Sequence, residues 1–505
     1  MVQLVEKYIP KMIDFMREGK EGGGKVVINE SKKELYEILD LKFENRRIGS
    51  KELETVIEKL FKYSINPYNA KFCDKLYSGS NPIGVLSEWL LTFLNANSHV
   101  YHVSPVLTQI ELFTSRELAK LYGFNDKFSG GLTFPGGSTS NLMALVTCRN
   151  LWYPHIKFNG YTEKDKLSIF TSDKSHYSIQ KSAMSIGIGL NRVYKVKTKI
   201  EGTMDIEDLI NKIEYSISLG ETPLFLNITA GTTVQGFFED IIELCKVAKK
   251  YQLWAHLDAS WGGPVIFSEK YKHLLNGSEM VDSITMNPHK LLGVPLQCSF
   301  LLLKDRTQFV KANSLDADYL FHNSSLKEND DNLDWLEHQS DLGQGTIACG
   351  RKPDAFKMYL AWKYYGKIEF ENRVNVAFDN ICYLKQKILN HPRFQLAFNP
   401  NSVNCCFWYI PLSYTKQFAY LSEDNLISNE VVPKAYGIAT IDIHKKLREN
   451  GEFMIDYSPL DINTDNGLIT LPPFFRMVSH NPNLNPNHMD QLIELILYYA
   501  SDLKL

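Results

Sequence analysis

None of the eight cysteines, at 73, 148, 245, 298, 349, 382, 405 and 406, forms a C-x-x-C pair. That spacing excludes the common zinc motifs and supplies no disulfide framework, so free thiols in a reducing compartment and no bound metal are expected. Charge of neither sign dominates: 55 basic against 58 acidic residues leave a formal net charge of -3. There is no general electrostatic footprint for nucleic acid or an anionic membrane. Basic runs such as 246–250 and 444–450 read as solvated helix faces. No stretch reaches ~18 uninterrupted apolar residues. The opening twenty residues are amphipathic and lack the apolar centre of a secretory signal. Glu6, Asp14, Glu18 and Glu21 are too many acids for a transit peptide. Internal repeats and low-complexity tracts are absent too. These absences predict a soluble, cytoplasmic protein with neither membrane nor nucleic acid as a partner.

What is present points to an α/β protein. The chain has 505 residues, 44% of them hydrophobic, enough for a large core and too long for one compact domain. Between about 130 and 305, runs at 167–172, 192–197, 224–229, 253–258, 283–287 and 299–304 read as strands, and helix-period stretches such as 204–220 and 240–252 lie between several of them. Such alternation predicts right-handed crossovers and a mostly parallel central sheet with helices on both faces. A helical N-terminal segment over 1–92, a large domain over 93–369 and a small C-terminal α+β domain over 370–505 are the expected divisions.

Ligands of such sheets gather at the carboxyl ends of the strands, and that is where the unusual residues fall. TMNPHKLLG, 285–293, carries Lys290 to a strand end. It is either a solvated turn or an amine held to form an imine. FPGGSTSN, 134–141, opens a helix with glycines and hydroxyls. It could N-cap that helix or cradle a phosphate at its positive end, and it matches neither the dinucleotide nor the P-loop pattern. HLDASWGG, 256–263, ends an apolar strand in Asp258, a cap or ion-pair partner on the ordinary reading and the mate of a protonated ring nitrogen on the functional one. FTSDKSHYS, 170–178, places His176 past another strand end, as a loop residue or a flat stacking face. A phosphate cradle, a stacking ring, an acid for a pyridine nitrogen and an amine for an aldehyde are together the needs of pyridoxal phosphate.

With SEWLLTFLNANSHVYHVSPVL, TAGTTVQGFFED, ACGRKPDAFKMYLAWKYYG, NCCFWYIP and FFRMV in order, the chain resembles group II pyridoxal-phosphate decarboxylases from about residue 70 to its end. It is most similar to the branch acting on glutamate, cysteine sulfinate and aspartate. The resemblance implies a fold-type-I, aspartate-aminotransferase-like architecture and a homodimer with shared active sites. It implies pyridoxal 5'-phosphate as cofactor and an acidic amino acid as substrate, converted to the primary amine and CO2. By motif, Lys290 is the Schiff-base lysine, His176 stacks on the ring and Asp258 pairs with its nitrogen. Thr139 and Ser140 hold the phosphate, while Thr233, Asn287 and His289 line the cofactor. Arg476 takes the substrate's side-chain acid, as its two-pronged guanidinium suits.

The chain departs from the family in three places. Ser260 replaces an alanine beside Asp258. In KLYSG, Lys75 stands where animal enzymes have glutamine and Tyr77 where glutamate decarboxylases have serine. Lys75 with Arg476 would give the substrate pocket two positive charges, and the Tyr77 phenol would shorten it toward aspartate or cysteine sulfinate. The loop before ACGR has Ser340 in the slot of the tyrosine that reprotonates the substrate carbon, with His338 nearby. An aldehyde-forming enzyme, a lyase or a non-catalytic relative are the alternatives that these departures leave open.

Overall fold

The computed structural model describes residues 2–21, 24–43, 45–317, 319–321, 341–422, 432–464 and 467–503. Two compact units divide them. One comprises Ser80–Val376 with Ile462–Ile469, the other Met1–Gly79, Ala377–Asp461 and Thr470–Leu505.

The first unit is built on seven strands: β1 (Gly130–Phe134), β2 (Leu167–Ser172), β3 (Val193–Val196), β4 (Thr222–Thr229), β5 (Trp254–Ala259), β6 (Ser283–Met286) and β7 (Ser299–Leu303). Their order is β1-β7-β6-β5-β4-β2-β3. From β3 to β6 neighbours run parallel, whereas β7 is antiparallel to both β6 and β1. The β6–β7 connection contains no crossover helix, so the chain can only turn back. That reversal presents residues 287–290 at the same sheet edge as the ends of β2, β4 and β5. Every position of β2, β5, β6 and β7 is buried, as their unbroken apolar runs imply for a covered sheet.

Two crossover helices show why the periodic stretches are legible. Ile206–Ser218 starts where the Asp205 side chain accepts from the Asp208 amide, and Ile241–Tyr251 where Asp240 accepts from Glu243. Strand β1 escaped the sequence reading because it is short and begins with two glycines. Gly131 is required there: a Cβ would collide with the Leu301 carbonyl of β7.

The second unit carries all but residues 462–469 of a four-stranded sheet of β8 (Phe394–Leu396), β9 (Asn404–Tyr409), β10 (Asp456–Thr464) and β11 (Gly467–Val478), in the order β10-β11-β9-β8, with β9 antiparallel to both its neighbours. Its core joins Phe394, Phe407 and Phe475 of the sheet to Ile443 and Leu492 of the helices Lys434–Asn450 and Pro486–Ala500. The N-terminal helices Val2–Glu21 and Ser50–Tyr63 belong to this unit, although its sheet begins only at Phe394. A long helix is predicted from about 370. The observed one, Ala355–Asn390, starts earlier and is broken at Gly366, whose φ of 66° no helix permits.

Candidate active site

In the first unit the carboxyl ends of β2, β4, β5 and β6 open on a cavity of about 240 Å3. Among the residues lining it, Lys290 is the one amine and Asp258 the one carboxylate. His176, Thr233, Asn287 and His289 line it as well, so six of the expected residues converge.

Lys290 ends a turn closed by its own amide on the Asn287 carbonyl (3.1 Å). Burial lowers its pKa and the Asp258 charge opposes that shift, which leaves more free amine at neutral pH than an exposed lysine has. Asp258 is only 4% exposed. Its Oδ2 accepts from Asn141 Nδ2 (2.8 Å) and its Oδ1 from the Ser260 amide (3.1 Å). Burial pushes the carboxyl up, but Ser260, the Lys290 charge and other donors outweigh it, and the pKa lies below its ordinary value. Burial depresses the His176 pKa against the pull of the Asp258 charge and so favours the neutral ring, whose Nδ1 accepts from the Ser178 amide (3.2 Å). His289 is pushed down to about 4, again by burial.

Two expected phosphate residues lie elsewhere. Ser140 is fully buried with its hydroxyl 2.7 Å from that of Ser299, and Thr139 Oγ1 donates back to the Pro135 carbonyl (3.4 Å). Gly137, Ser138 and Asn141 of the same helix line the cavity instead. The helix phase decides this: 137, 138 and 141 share the face turned to the cavity, and 139 and 140 do not. Ser340 and His338 lie outside the described residues.

Arg476, Lys75 and Tyr77 belong to the second unit. Arg476, on β11 and 6% exposed, donates through Nη2 to Asp456 Oδ2 and to the Asp74 carbonyl, both at 2.8 Å. Lys75 Nζ lies 2.8 Å from the same Asp456 oxygen and 2.8 Å from Asp74 Oδ1. The two positive charges expected of Lys75 and Arg476 are accompanied by two carboxylates, Asp74 and Asp456. The Tyr77 ring packs 5.4 Å from that of Phe72.

Sequence reasoning missed Asp456, which nothing in 456–464 marks as the partner of a lysine 381 residues away. It also missed His256 and the hydrogen bonds of Asn141 to His256 and Asp258. Here there was a signal: His256 and Asp258 are two apart on a buried strand and share a face, and a buried asparagine in a helix's first turns needs a polar partner.

Glu239, too, is a buried acid: its Oε2 accepts from the Thr229 amide (2.7 Å), and burial pushes its carboxyl up to about 8. A raised folded-state pKa means stability that is fully present below the ordinary 4.5 and is lost as pH rises through about 8. The apoprotein's unfolding free energy should fall across that window by up to ~1.4 kcal/mol per pH unit. Glu239→Gln should flatten this slope in denaturant titrations at pH 5 and pH 8; parallel slopes would exclude Glu239 as its source.

Residues 33–410 match the pyridoxal-dependent decarboxylase conserved domain. The chain belongs to this family. It is 44% identical to the L-aspartate decarboxylase of Metarhizium robertsii over 371 residues, 73% of this chain and 72% of that one. With a glutamate decarboxylase-like protein of Gibberella zeae it shares 37% identity over 416 residues, 77% and 80% of the two chains. Mouse CSAD superposes with a TM-score of 0.87 at 29% identity, with 99% of this chain and 100% of that one covered. The fold is thus fold-type I, and the enzyme is a pyridoxal-phosphate-dependent amino-acid decarboxylase. The cavity fits the cofactor. Ser260 Oγ and Asn287 Oδ1 are buried there with no hydrogen-bond partner among the described residues, and a Cβ on Gly137 would meet Ser260 Oγ at 2.6 Å and Asn287 Nδ2 at 2.7 Å. Polar groups so crowded around a helix start suit an anionic, hydrogen-bonding ligand. No described helix is long and apolar enough to cross a membrane.

Proposed function

We propose that the enzyme removes the α-carboxylate of an acidic L-amino acid, with aspartate or cysteine sulfinate used at least as well as glutamate. Bound pyridoxal phosphate supplies an aldehyde for amines and a protonated pyridine ring that accepts the electron pair left by a departing carboxylate. The chain's own residues are arranged for that chemistry. Lys290 offers a partly desolvated amine, Asp258 an ionised carboxylate to keep a proton on the ring nitrogen, and His176 a neutral ring to lie flat against the cofactor. The amides of Gly137 and Ser138 offer donors to the phosphate. In this reading Arg476 binds the substrate's distal acid, and Lys75 and Tyr77 adjust its fit.

The single observation that carries the substrate class is the buried Arg476, whose guanidinium already holds a carboxylate, that of Asp456, at 2.8 Å. The L-aspartate decarboxylase among the relatives supports the short-acid preference. The test is side-by-side turnover on aspartate, cysteine sulfinate and glutamate, with amine and CO2 both quantified. Equal yields of the two products, aspartate or cysteine sulfinate at least matching glutamate, and a shift toward glutamate in Tyr77→Ser are expected. Fastest turnover on an aromatic amino acid would sink the pocket reading, and excess aldehyde would favour the aldehyde-forming alternative.

The same reading makes the enzyme a cytoplasmic homodimer. Helix Pro82–Leu94 buries only Gly84, Ser87 and Leu91, and it leaves Leu86, Leu90, Phe93 (76% exposed) and Leu94 open. An apolar face of that kind is unfavourable in water unless covered. Light scattering should give twice the chain mass, and Phe93→Glu should lower it; a monomeric wild type would exclude the dimer. Fractionation of the native cells should put the activity in the cytosol, and recovery in an organelle would refute that placement.

A further inference from the structure

Behind Asp258 runs a chain of hydrogen bonds that ends on its carboxylate. Trp254 Nε1 lies 2.8 Å from Ser283 Oγ, which lies 2.8 Å from His256 Nδ1. His256 Nε2 is 3.0 Å from Asn141 Oδ1, and Asn141 Nδ2 is 2.8 Å from Asp258 Oδ2. All four residues behind the aspartate are buried.

Elementary donor chemistry orders the chain. An indole N–H only donates and a carboxylate only accepts, so the two ends are set. A reversed Asn141 would aim its oxygen at the Asp258 carboxylate, so the amide must donate there and accept from His256 Nε2–H. The neutral imidazole then has a bare Nδ1, which the Ser283 hydroxyl fills while it accepts from Trp254. Burial, which pushes His256 down to about 4, agrees with a neutral ring. Asn141 spends its second N–H on Ser178 Oγ (3.0 Å), which leaves it no freedom to turn. Every dipole points toward Asp258, and Thr285 Oγ1, at 3.4 Å from His256 Nε2, lies farther from it than Asn141 Oδ1 does. An apolar core of similar volume would serve folding as well, so the network calls for another purpose.

We propose that Asn141 and His256 are positioning residues that, together with Ser283 and Trp254, hold the Asp258 carboxylate in one orientation toward the cofactor cavity. This rests on the reading of Asp258 given above. The experiment is a double-mutant cycle read by kcat, KM, and cofactor affinity from absorbance titration of the apoprotein, with thermal melting as the folding control. Asn141→Leu should weaken cofactor binding and lower kcat by ~10- to 100-fold, the size expected for one lost hydrogen bond to a buried charge, with KM nearly unchanged. In an Asp258→Asn background it should add little. His256→Gln, which keeps a donor and an acceptor, should retain most of the activity that His256→Leu loses, and this pair decides the matter if Asn141→Leu does not fold. Wild-type kcat and cofactor affinity in Asn141→Leu, losses that multiply with those of Asp258→Asn, or His256→Gln no better than His256→Leu would overturn the proposal. An unimpaired Asp258→Asn would instead remove the underlying reading of Asp258.

Discussion

Lys290→Ala is expected to purify folded but without the visible absorbance of bound cofactor, and to lose turnover by at least ~1,000-fold. The amine is the one nucleophile of the cavity wall that can attach an aldehyde, and desolvation keeps part of it uncharged. Removal of its charge beside Asp258 also withdraws one cause of that carboxylate's low pKa. The fold should be little changed, since the Lys290 amine makes no hydrogen bond among the described residues. Added pyridoxal phosphate should not restore the absorbance, because weak binding would return but attachment would not. A variant that keeps both the absorbance and the turnover would show that another group carries the aldehyde.

The second large effect concerns Arg476. Arg476→Met keeps much of the volume and removes the fork, and kcat/KM on every acidic substrate should drop by ~2–5 kcal/mol if the ion pair it makes with substrate is buried. Stability should suffer less, for Lys75 still faces Asp456 at 2.8 Å and keeps that carboxylate paired. A substrate acid would have to compete with Asp456 for the guanidinium, so the loss should appear mainly in KM. An unchanged preference for acidic over neutral amino acids in Arg476→Met would remove Arg476 from substrate recognition while leaving the cofactor chemistry intact.

The chain's own pattern was enough for the alternation of strand and helix, because apolar runs and capped periodic stretches are local properties. The gathering of Lys290, Asp258 and His176 was legible for a related reason: Asp258 stands in the last residues of a buried strand and the other two within four residues of a strand's end, where a polar residue is conspicuous. Tertiary structure alone decided the rest. It turned Ser140 inward against Ser299 and brought Gly137 and Ser138 to the cavity, a matter of helix phase that a motif does not record. It reversed β7 and paired it with β1, because the sequence states where a strand is but not which neighbour it finds. It placed Asp456 between Lys75 and Arg476, and threaded Asn141 between His256 and Asp258. Pairing of charges and hydrogen bonds across hundreds of residues depends on where the backbone brings them, and only the folded chain holds that information.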